Sequence, residues 1–398
     1  MYNILVISEK YYPFSGAELV IHEVVKILAR QGFKITVATG SKRIHKVEGV
    51  NYFYFPILNV GSKIALWKNI GFYGSYFDKW IPYYDAVYIP RLSYPIIPRA
   101  KKRGRKVVVH LLDLQPVDYG AIIYHPYESY KHNILSRIKK SVSDELQEYQ
   151  STHRAVASGF MTPINGFCAP WLSDADSVIC ECNRTAYIVG KEIPALISKL
   201  RIIGNPLPDI PFIDKELNIN RSFIYGGGTL YSKGIKTLIE ASLRIHRKHP
   251  SSKFILTRIS DAKWKSLLAK LNRNLNNPFV VLGSLSHDAF LGLHRSVSAL
   301  VMPTLIEEFP MVILESMLAG TIPVASKTGG IPEMVQGTFA EKTLFTPGNA
   351  DELADRIELV LSLSREQLKD IGAQLKIEVM KKYDHEDIAD KLIRVFEA

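Results

Sequence analysis

The stretch PTLIEEFPMVILESMLAG, residues 303–320, predicts a helix with one acidic side chain before it and one inside it. Pro310 suits the first helical position, and Gly320 suits the position just past the last turn. Glu307 would then lie on the loop before the helix, and Glu315 within the helix. Two carboxylates placed in this way could accept hydrogen bonds from two different parts of one ligand.

The backbone at the start of the same helix could hold an anion. The first four N–H groups of a helix have no partner inside the helix, and they carry the positive end of its dipole. Glu308, Phe309, Pro310 and Met311 surround this helix start. We therefore expect them, together with Glu307, to border a ligand.

A second candidate site is the loop FIYGGGTLYSKG, residues 223–234. It contains Gly227 and Gly228, and Lys233 follows five positions after the last glycine of the run. A glycine-rich loop between a strand and a helix lets backbone amides approach a phosphate, and a lysine adds positive charge. Taken alone, such a loop is a weak predictor of function.

The composition bounds the class of protein. A length of 398 residues suits two domains, and 47% hydrophobic with 22% charged residues is typical of a globular chain. The formal net charge of +11 favours an anionic partner: nucleic acid, an anionic membrane surface or a small molecule with phosphate groups. Nucleic acid ranks lowest, because no RNA-binding signature, zinc-finger spacing or long basic tail is present.

Cysteine usage and hydropathy favour a cytosolic protein. Cys168, Cys180 and Cys182 are too few and too unevenly spaced for a disulfide framework or a structural zinc site. No apolar run is long enough to span a membrane. The first predicted strand begins at residue 3, which leaves no room for a signal peptide. We therefore expect a protein of the reducing cytosol.

The elements that must position these residues follow a repeated strand–loop–helix pattern, which predicts α/β lobes with parallel sheets. The strand candidates are the apolar runs at 3–8, 34–39, 86–90, 106–112, 177–182, 222–227, 253–259, 279–285, 298–303 and 322–326. The prolines of NPLPDIPF, residues 205–212, mark a boundary. We predict domains at 1–205 and 206–375, with a cleft between them at the carboxyl ends of the strands.

Several pieces of the chain, in their order, resemble retaining glycosyltransferases of family 4, which have the GT-B fold of two facing Rossmann-like domains. The acidic signature is Glu307 and Glu315, separated by seven residues and followed by SMLAGTIPVAS. The other pieces are YYPFSGAE, DADSVICEC, LRIIGNPLPDIPF, SKGIKTLIEA, TGGIPEMV and LFTPGNADELADRI. Each piece is weak alone, but the ordered set covers nearly the whole chain and is specific.

The resemblance implies transfer of a sugar from a nucleotide-diphosphate sugar, a co-substrate that makes a further cofactor unnecessary, to a carbohydrate or lipid-linked acceptor. Glu307 and the amides after it match the group that holds the transferred sugar. Glu315 matches the residue that binds the ribose, and Lys233 matches a lysine on the donor diphosphate. Gly16 matches a first-lobe glycine that faces this diphosphate, with Ala17 where a second glycine is usual.

Two further features are implied by the same resemblance. His110, at the end of the strand VVVH, resembles a histidine near the sugar and the scissile bond, so we predict His110 and Glu307 as catalytic residues. The C-terminal helix, 376–398, resembles a segment that crosses back to pack on the first lobe.

The resemblance also implies retention of anomeric configuration, by same-face attack in which the leaving phosphate helps to deprotonate the acceptor hydroxyl. A lysine and helix N-termini would stabilise the leaving diphosphate, so we expect no catalytic metal. Asp174 and Asp176 have the acid spacing of metal-using glycosyltransferases. They stand at the start of an apolar strand, however, and we expect them to be structural.

One position departs from the family. An arginine usually follows the glycine at the position of Gly227, and Gly228 takes its place here. Arg258, near the carboxyl end of the strand KFILTRIS, is a candidate replacement. The departure keeps a second hypothesis open, a GT-B binding or scaffold protein with impaired catalysis. A third hypothesis, a dinucleotide oxidoreductase, is disfavoured because glycines expected in that motif are missing.

Two segments bear on the partners. Residues 61–84 mix aromatic residues with lysines and could rest on a membrane or hold a lipid-linked acceptor, although packing under a surface loop is the favoured interpretation. Residues 114–170 fall where the family varies most and recognises acceptors, and they do not choose between a carbohydrate and a lipid phosphate. We predict a cytoplasmic protein, with peripheral contact to the inner face of the membrane as a further hypothesis.

Overall fold

The computed structural model describes residues 2–12, 16–123, 133–210 and 221–397. Three predictions fall partly outside these residues. They concern residues 13–15 of the first glycine loop, 124–132 of the segment assigned to acceptor recognition, and 211–220, where the proline-rich boundary ends. The described residues form two parallel sheets.

The first sheet contains seven described strands: β1 (Asn3–Ser8), β2 (Lys34–Thr39), β3 (Asn51–Tyr54), β4 (Ala86–Ile89), β5 (Lys106–Leu111), β6 (Ser177–Cys180) and β7 (Leu200–Ile202). Their order across the sheet is β3-β2-β1-β4-β5-β6-β7, and the pairings are parallel. Strand order reverses between β1 and β4, which is where an open α/β sheet forms a ligand crevice at its carboxyl edge.

Both faces of the first sheet are buried, because alternate residues of a strand point to opposite sides. In β5, Val107 and Val109 pack into a core on one face, whereas Val108 packs with Tyr88 and Ile179 on the other. A central strand of this kind must be apolar along its whole length. The continuous apolar run of β5 was predicted as a strand for this reason.

The second sheet contains five described strands: β8 (Ser222–Tyr225), β9 (Lys253–Leu256), β10 (Phe279–Val281), β11 (Ala299–Met302) and β12 (Ile322–Ala325). Their order is β10-β9-β8-β11-β12, again parallel. The predicted boundary at residues 205–206 falls between the last strand of the first sheet and the first strand of the second. We call each sheet with the helices packed on it the first lobe and the second lobe.

The helices before β8 are α1 (Gly16–Arg30), α2 (Lys63–Tyr73), α3 (Ser75–Trp80), α4 (Ile96–Lys102), α5 (Ile134–Tyr149), α6 (Thr152–Met161), α7 (Cys168–Ser173) and α8 (Asn183–Glu192). The helices after β8 are α9 (Ile235–Lys248), α10 (Ala262–Asn274), α11 (His287–Leu293), α12 (Met311–Leu318), α13 (Ile331–Val335), α14 (Ala350–Leu361), α15 (Arg365–Lys382) and α16 (His385–Glu397). The strands and helices alternate as the sequence pattern predicts.

Helix α12 follows its predicted bounds, with a shift of one residue at the start. Pro310 is the N-cap in an extended conformation, with φ −73° and ψ 111°, so Met311 and not Pro310 is the first helical residue. Gly320 lies past the end with φ +66°, a left-handed conformation that glycine adopts without steric cost. Glu307 therefore stays on the preceding loop, and Glu315 lies in the helix.

Strands β3 and β7 lie at the two edges of the first sheet, and the sequence analysis predicted neither. Most residues of both strands are exposed or half-buried. An edge strand that buries little needs no apolar run, so the pattern that reveals a central strand is absent.

Helix α16 brings the end of the chain back to the first lobe. Its buried residues include Leu392, Val395 and Phe396. The Phe396 ring lies 5.6 Å from the Tyr88 ring, measured between centroids, and Tyr2 Oη donates to the Phe396 carbonyl over 2.7 Å. The two lobes are therefore connected both before β8 and through the C-terminal helices.

The aromatic segment at residues 61–84 forms α2 and α3, and its rings are divided between the core and the surface. Trp67 and Phe77 are buried, in agreement with the packing interpretation. Phe72, Tyr73 and Tyr76 are 73%, 51% and 57% exposed and form an aromatic surface. Among the residues described, no helix combines the length and the apolar character that crossing a bilayer requires.

Candidate active site

Two cavities open between the lobes and share part of their walls. Cavity A has a volume of about 270 Å³, and cavity B has a volume of about 590 Å³. The residues that line both are Gly16, Lys233, Glu307, Pro310 and Met311. A ligand that extends past these residues would contact both lobes.

A tyrosine of β8 holds the glycine loop that follows it. Tyr225 Oη lies within hydrogen-bond distance of the carbonyl oxygens of Gly228 (2.9 Å) and Lys233 (3.1 Å). A Cβ at Gly227 would lie 2.5 Å from Tyr225 Oη, so a side chain there would collide with the ring. Gly234 has φ +70°, and its Cβ would lie 1.8 Å from the carbonyl oxygen of Pro303. The loop is fixed by close contacts that require glycine.

Lys233 stands where the two cavities meet. Its Nζ donates to Glu307 Oε2 over 2.7 Å, which joins the glycine loop to the loop before α12. The Glu307 carboxylate raises the pKa of Lys233, so the lysine stays charged. A fixed cation at this point could neutralise a phosphate group.

Arg258 lies beside the glycine that stands in place of the family's usual arginine. A Cβ built on Gly228 would lie 3.6 Å from the Arg258 Cβ. Arg258 has φ +61°, a left-handed conformation that costs a non-glycine residue about 1 to 2 kcal/mol. The arginine lines cavity B. Arg258 is therefore a cation close to Gly228, the position where the resembled family usually has an arginine.

Glu315 and His287 form a pair in the wall of cavity B. The distance between His287 Nε2 and Glu315 Oε1 is 2.8 Å, and Glu315 is buried. The hydrogen bond to Glu315 raises the pKa of His287. The sequence analysis missed His287. His287 could have been found from its position at the start of α11, the helix after β10, because the starts of such helices face the carboxyl edge of the sheet.

Glu308 is buried in the wall of cavity A. Thr185 Oγ1, from α8 of the first lobe, donates to Glu308 Oε2 over 2.9 Å. Burial raises the pKa of Glu308 to about 7, against the opposing effect of the nearby Arg184. Near neutral pH this carboxyl group therefore exists in both protonation states.

His110 does not reach either cavity, which corrects the expectation that it lies at the bond to be broken. It is 2% exposed, and its Nδ1 lies 2.8 Å from Tyr88 Oη inside the lobe. Burial lowers the pKa of His110 to about 3, so the ring is neutral at physiological pH. Strand alternation turns His110 to the face of β5 that carries Val108. The cavity wall is lined instead by Leu112 and Asp113, just past the strand.

The other predicted residues lie in the two walls, with one exception. From the predicted set, cavity A is lined by Gly16, Ala17, Lys233, Glu307, Glu308, Phe309, Pro310 and Met311. Cavity B adds Gly227, Arg258 and Glu315. Gly228 lines neither cavity.

Cavity A also contains first-lobe residues that the sequence analysis missed, namely Asp113, Glu148, Glu181 and Asn205. Asp113 and Glu181 come just after β5 and β6, so the rule that ligands bind at the carboxyl ends of parallel strands could have found them. Glu148 lies near the end of α5, and Asn205 follows β7. Nothing in their spacing indicates that they share a cavity.

Glu148 connects the two lobes directly. Its carboxylate accepts hydrogen bonds from the backbone N–H of Ser232, over 2.8 Å, and from the Ser232 hydroxyl. The Ser232 carbonyl in turn accepts a bond from Leu305 N over 2.7 Å. The turn that carries Lys233 is therefore held by the first lobe on one side and by the β11–α12 loop on the other.

Of Asp174 and Asp176, the acids considered as metal ligands, Asp176 has structural partners. Asp176 accepts hydrogen bonds from Val107 N (2.7 Å) and Lys101 Nζ (2.6 Å), which ties β6 to its neighbours. Across the described ranges, no group of three or more His, Cys, Asp or Glu side chains is arranged to hold a metal ion.

Comparison with known proteins identifies a family for the second lobe. Residues 209–376 match the family described as Glycosyl transferases group 1. An uncharacterized glycosyltransferase of Methanocaldococcus jannaschii is 28% identical over 196 residues, which are 46% of this chain and 48% of that protein. In its alignments with the first curated relatives, the chain spans half or less of their length.

Solved structures share the whole architecture. Sucrose-phosphate synthase from Thermosynechococcus elongatus has a TM-score of 0.73 at 16% identity, over 100% of this chain and 98% of that chain. HepE of Anabaena in complex with UDP and glucose has a TM-score of 0.67 at 19% identity, over 100% of both chains. At such identities the likeness shows the fold alone. The chain therefore has the GT-B fold, and its residues 209–376 match the group 1 glycosyltransferase family.

Proposed function

We propose that the protein is a glycosyltransferase that moves a sugar from a nucleotide-diphosphate sugar to a carbohydrate or lipid-linked acceptor. The observation that carries the proposal is the position of Lys233 at the junction of cavities A and B, beside the glycine loop and the start of α12. A diphosphate bound there would have its nucleoside on one side and its sugar on the other. The UDP and glucose bound to HepE support a donor of this kind.

The nucleoside half of the donor fits cavity B. Glu315 lies in its wall as a buried carboxylate that can accept hydrogen bonds from ribose hydroxyls. Leu19, Phe290 and Val312 give the same wall apolar surface for a base. His287, bonded to Glu315, orients the carboxylate that the ribose would meet.

The departing diphosphate develops the negative charge that this site must stabilise. Lys233 and Arg258 supply two cations, and the N–H groups of the glycine loop add oriented dipoles. These groups are proposed to stabilise the leaving diphosphate without a metal ion.

Retention of configuration by same-face attack is the proposed stereochemical course. The leaving phosphate oxygen takes the proton of the acceptor hydroxyl, while Glu307, positioned by Lys233, binds the transferred sugar. His110 has no part in this scheme, because its ring is buried away from both cavities.

Contact with a membrane surface is proposed for the aromatic surface of α2 and α3. Phe72, Tyr73 and Tyr76 are exposed there, and Lys68 and Lys79 are exposed on the same two helices. Aromatic rings with lysines favour the interface of an anionic bilayer. This surface supports a lipid-linked acceptor and a cytoplasmic protein at the inner face of the membrane.

A GT-B binding or scaffold protein with impaired catalysis is the second candidate. The observations that favour it are Gly228, where a cation is usual, and the burial of His110 outside the cleft. The same cavities would then bind a nucleotide sugar without breaking it.

A panel of UDP-, GDP- and ADP-sugars separates the two candidates. We expect the sugars of one base to raise the melting temperature, and sugar to be released with EDTA present. The released anomer, identified by NMR before mutarotation, is expected to retain the donor configuration. A thermal shift without sugar release supports the scaffold, and no shift with any nucleotide sugar contradicts both candidates.

A further inference from the structure

Cavity A is acidic although the whole chain is basic. Among the described residues in its wall, Lys233 is the one cation, and the carboxylates are Asp113, Glu148, Glu181, Glu307 and Glu308. Cavity B holds Lys233 and Arg258 against Glu307 and Glu315. The charge is therefore divided between the two halves of the site, with the cations at the junction and in cavity B.

The carboxylates of cavity A are only partly compensated. Lys233 pairs with Glu307, and Ser232 binds Glu148. Among the described residues, Asp113 accepts hydrogen bonds from Gln115, through its backbone N (2.8 Å) and side chain (3.1 Å). Its charge also acts on Lys63 and Arg91, whose own hydrogen bonds go to other residues. Burial, with a smaller effect of the Glu308 charge, raises the pKa of Glu181 well above its usual range. Glu181 is therefore held uncharged, and the burial and neighbouring carboxylates that keep it so also oppose the entry of another negative charge.

Asn205 provides an independent indication of the ligand. It is 1% exposed and lies in the wall of cavity A. Its Nδ2 donates to Glu181 Oε1, whereas its Oδ1 has no hydrogen-bond partner among the described residues. A buried carbonyl oxygen without a partner is costly, and only a donor can satisfy it. A sugar hydroxyl can donate to this oxygen, but an ionised carboxylate or phosphate cannot.

The geometry of the donor decides which part of it meets this wall. With the diphosphate at Lys233 and the nucleoside in cavity B, the sugar attached to the second phosphate extends into cavity A. This step rests on the proposed function. We propose that the transferred sugar is uncharged, and that cavity A excludes sugars that carry a carboxylate or a phosphate group.

Matched donors that differ in the charge of the sugar test the proposal with the full-length protein. The pairs are UDP-glucose with UDP-glucuronate and GDP-mannose with GDP-mannuronate, used according to the base that binds, with UDP and GDP alone as references. Bringing like charges together costs several kcal/mol of binding free energy, and each 1.4 kcal/mol changes the dissociation constant tenfold. We therefore expect the dissociation constant of the uronate to exceed that of the neutral sugar by about tenfold or more.

Equal or tighter binding of the uronate would overturn the inference while leaving the proposed function intact. Failure of every nucleoside diphosphate to bind would overturn the proposed function, and the inference with it. Calorimetry distinguishes these outcomes, because the free diphosphate measures the nucleotide contacts without the sugar.

A charge variant separates electrostatics from shape. Asp113→Asn keeps the size of the side chain and an oxygen for Gln115 N, so we expect it to reduce the ratio of the two dissociation constants by about threefold or more. The control is Asp78→Asn, whose carboxylate pairs with Arg99 and lines neither cavity. An unchanged ratio in Asp113→Asn, or an equal change in the control, would contradict the electrostatic explanation.

Discussion

Arg258 combines conformational strain with a site for charge. Its left-handed backbone is one that glycine adopts freely, so Arg258→Gly removes strain and a cation together. We expect nucleoside diphosphate binding to weaken about tenfold, the scale of one charge-assisted hydrogen bond, while the free energy of unfolding is maintained.

The comparison for this variant is Lys233→Ala, measured by calorimetry and urea unfolding. It should weaken diphosphate binding at least as much, because Lys233 lies at the junction of the cavities. The control is Lys236→Ala, an exposed lysine of α9 outside both cavities. If Arg258→Gly binds the diphosphate as wild type does, the arginine does not replace the missing cation.

The raised pKa of Glu308 predicts that the free energy of unfolding depends on pH. Its pKa in the folded protein is about 7, compared with 4.5 for an ordinary glutamate. The folded state therefore binds this proton more tightly than the unfolded state between these values, and stability falls as the pH rises through this window. Glu308→Gln cannot ionise. It should be more stable than wild type at pH 8, by about 1 to 3 kcal/mol, with the difference shrinking as the pH falls and vanishing below about pH 4.

Urea unfolding of both proteins between about pH 4 and pH 8 measures this difference, because the other titrating groups are common to the two chains. A difference that does not change with pH would show that Glu308 ionises normally in the folded protein. The Thr185 hydroxyl donates to Glu308 in wild type and can donate to the glutamine oxygen in the variant, so this hydrogen bond is common to both proteins.

At the residue scale, the sequence predicted the cavity-lining residues of the second lobe better than those of the first. Lys233, Glu307 and Glu315 belong to continuous motifs in which a loop and the next helix fix their positions. His110 was misplaced because the end of a strand is hard to locate to one residue, and a shift of one residue moves a side chain to the opposite face. Asp113, three residues further on, reaches the cavity instead.

At the scale of elements, the TGG turn between β12 and α13 supports the acidic loop before α12. Gly329 has φ +56°, and a Cβ there would lie 1.6 Å from the carbonyl oxygen of Glu307. Gly330 N donates to the Glu308 carbonyl over 2.6 Å. The two loops are thus in backbone contact, which fixes the direction of both glutamates.

Gly329→Ala should disturb this contact. Left-handed strain and the collision together predict a loss of about 3 kcal/mol or more in the free energy of unfolding, and weaker donor binding. The matched control is Gly337→Ala, with φ +81° and nothing within 4 Å of its Cβ, which should lose only about 1 to 2 kcal/mol. If urea unfolding shows that both variants lose the same free energy of unfolding, the contact between the two loops does not contribute to stability.

Elements were predictable where burial imposes a pattern. The central strands β1, β5 and β8 and the amphipathic helices α1 and α9 follow their apolar patterns closely. The edge strands β3 and β7 bury little, so the sequence gives no comparable signal for them. The start of α12 at Met311 shows the usual uncertainty of one residue at a helix end.

For the whole molecule, the bond between Glu148 and Ser232 is the direct link from the first lobe to the lysine turn. Glu148→Ala removes the acceptor for the Ser232 N–H and hydroxyl. We expect donor affinity to fall by about tenfold, the scale of a charge-assisted hydrogen bond, because the turn that carries Lys233 loses its support from the first lobe.

The control is Glu145→Ala on the same helix, whose carboxylate pairs with Arg154 inside the first lobe. It should leave donor affinity unchanged, as measured by calorimetry. A loss of the same size in both variants would indicate a general effect on α5, and no loss in Glu148→Ala would exclude a role for the link between the lobes.

Contacts between the lobes were beyond the reach of sequence analysis for a geometric reason. Glu148 and Ser232 are 84 positions apart, and Thr185 and Glu308 are 123 positions apart. Each of these four residues is of a polar type that is common on protein surfaces. Their pairing depends on how the two sheets face each other. The two-lobed architecture follows from repeated strand and helix patterns, whereas the polar wall of cavity A does not.

The most direct test of the central claim is steady-state release of nucleoside diphosphate from the nucleotide sugar that the panel selects, with wild type and Glu307→Gln compared. We expect many turnovers by wild type and a loss of about a hundredfold in the variant, because Glu307 pairs with Lys233 and, in the proposed mechanism, holds the transferred sugar. Tight donor binding without turnover by wild type, or equal turnover by both proteins, would contradict it.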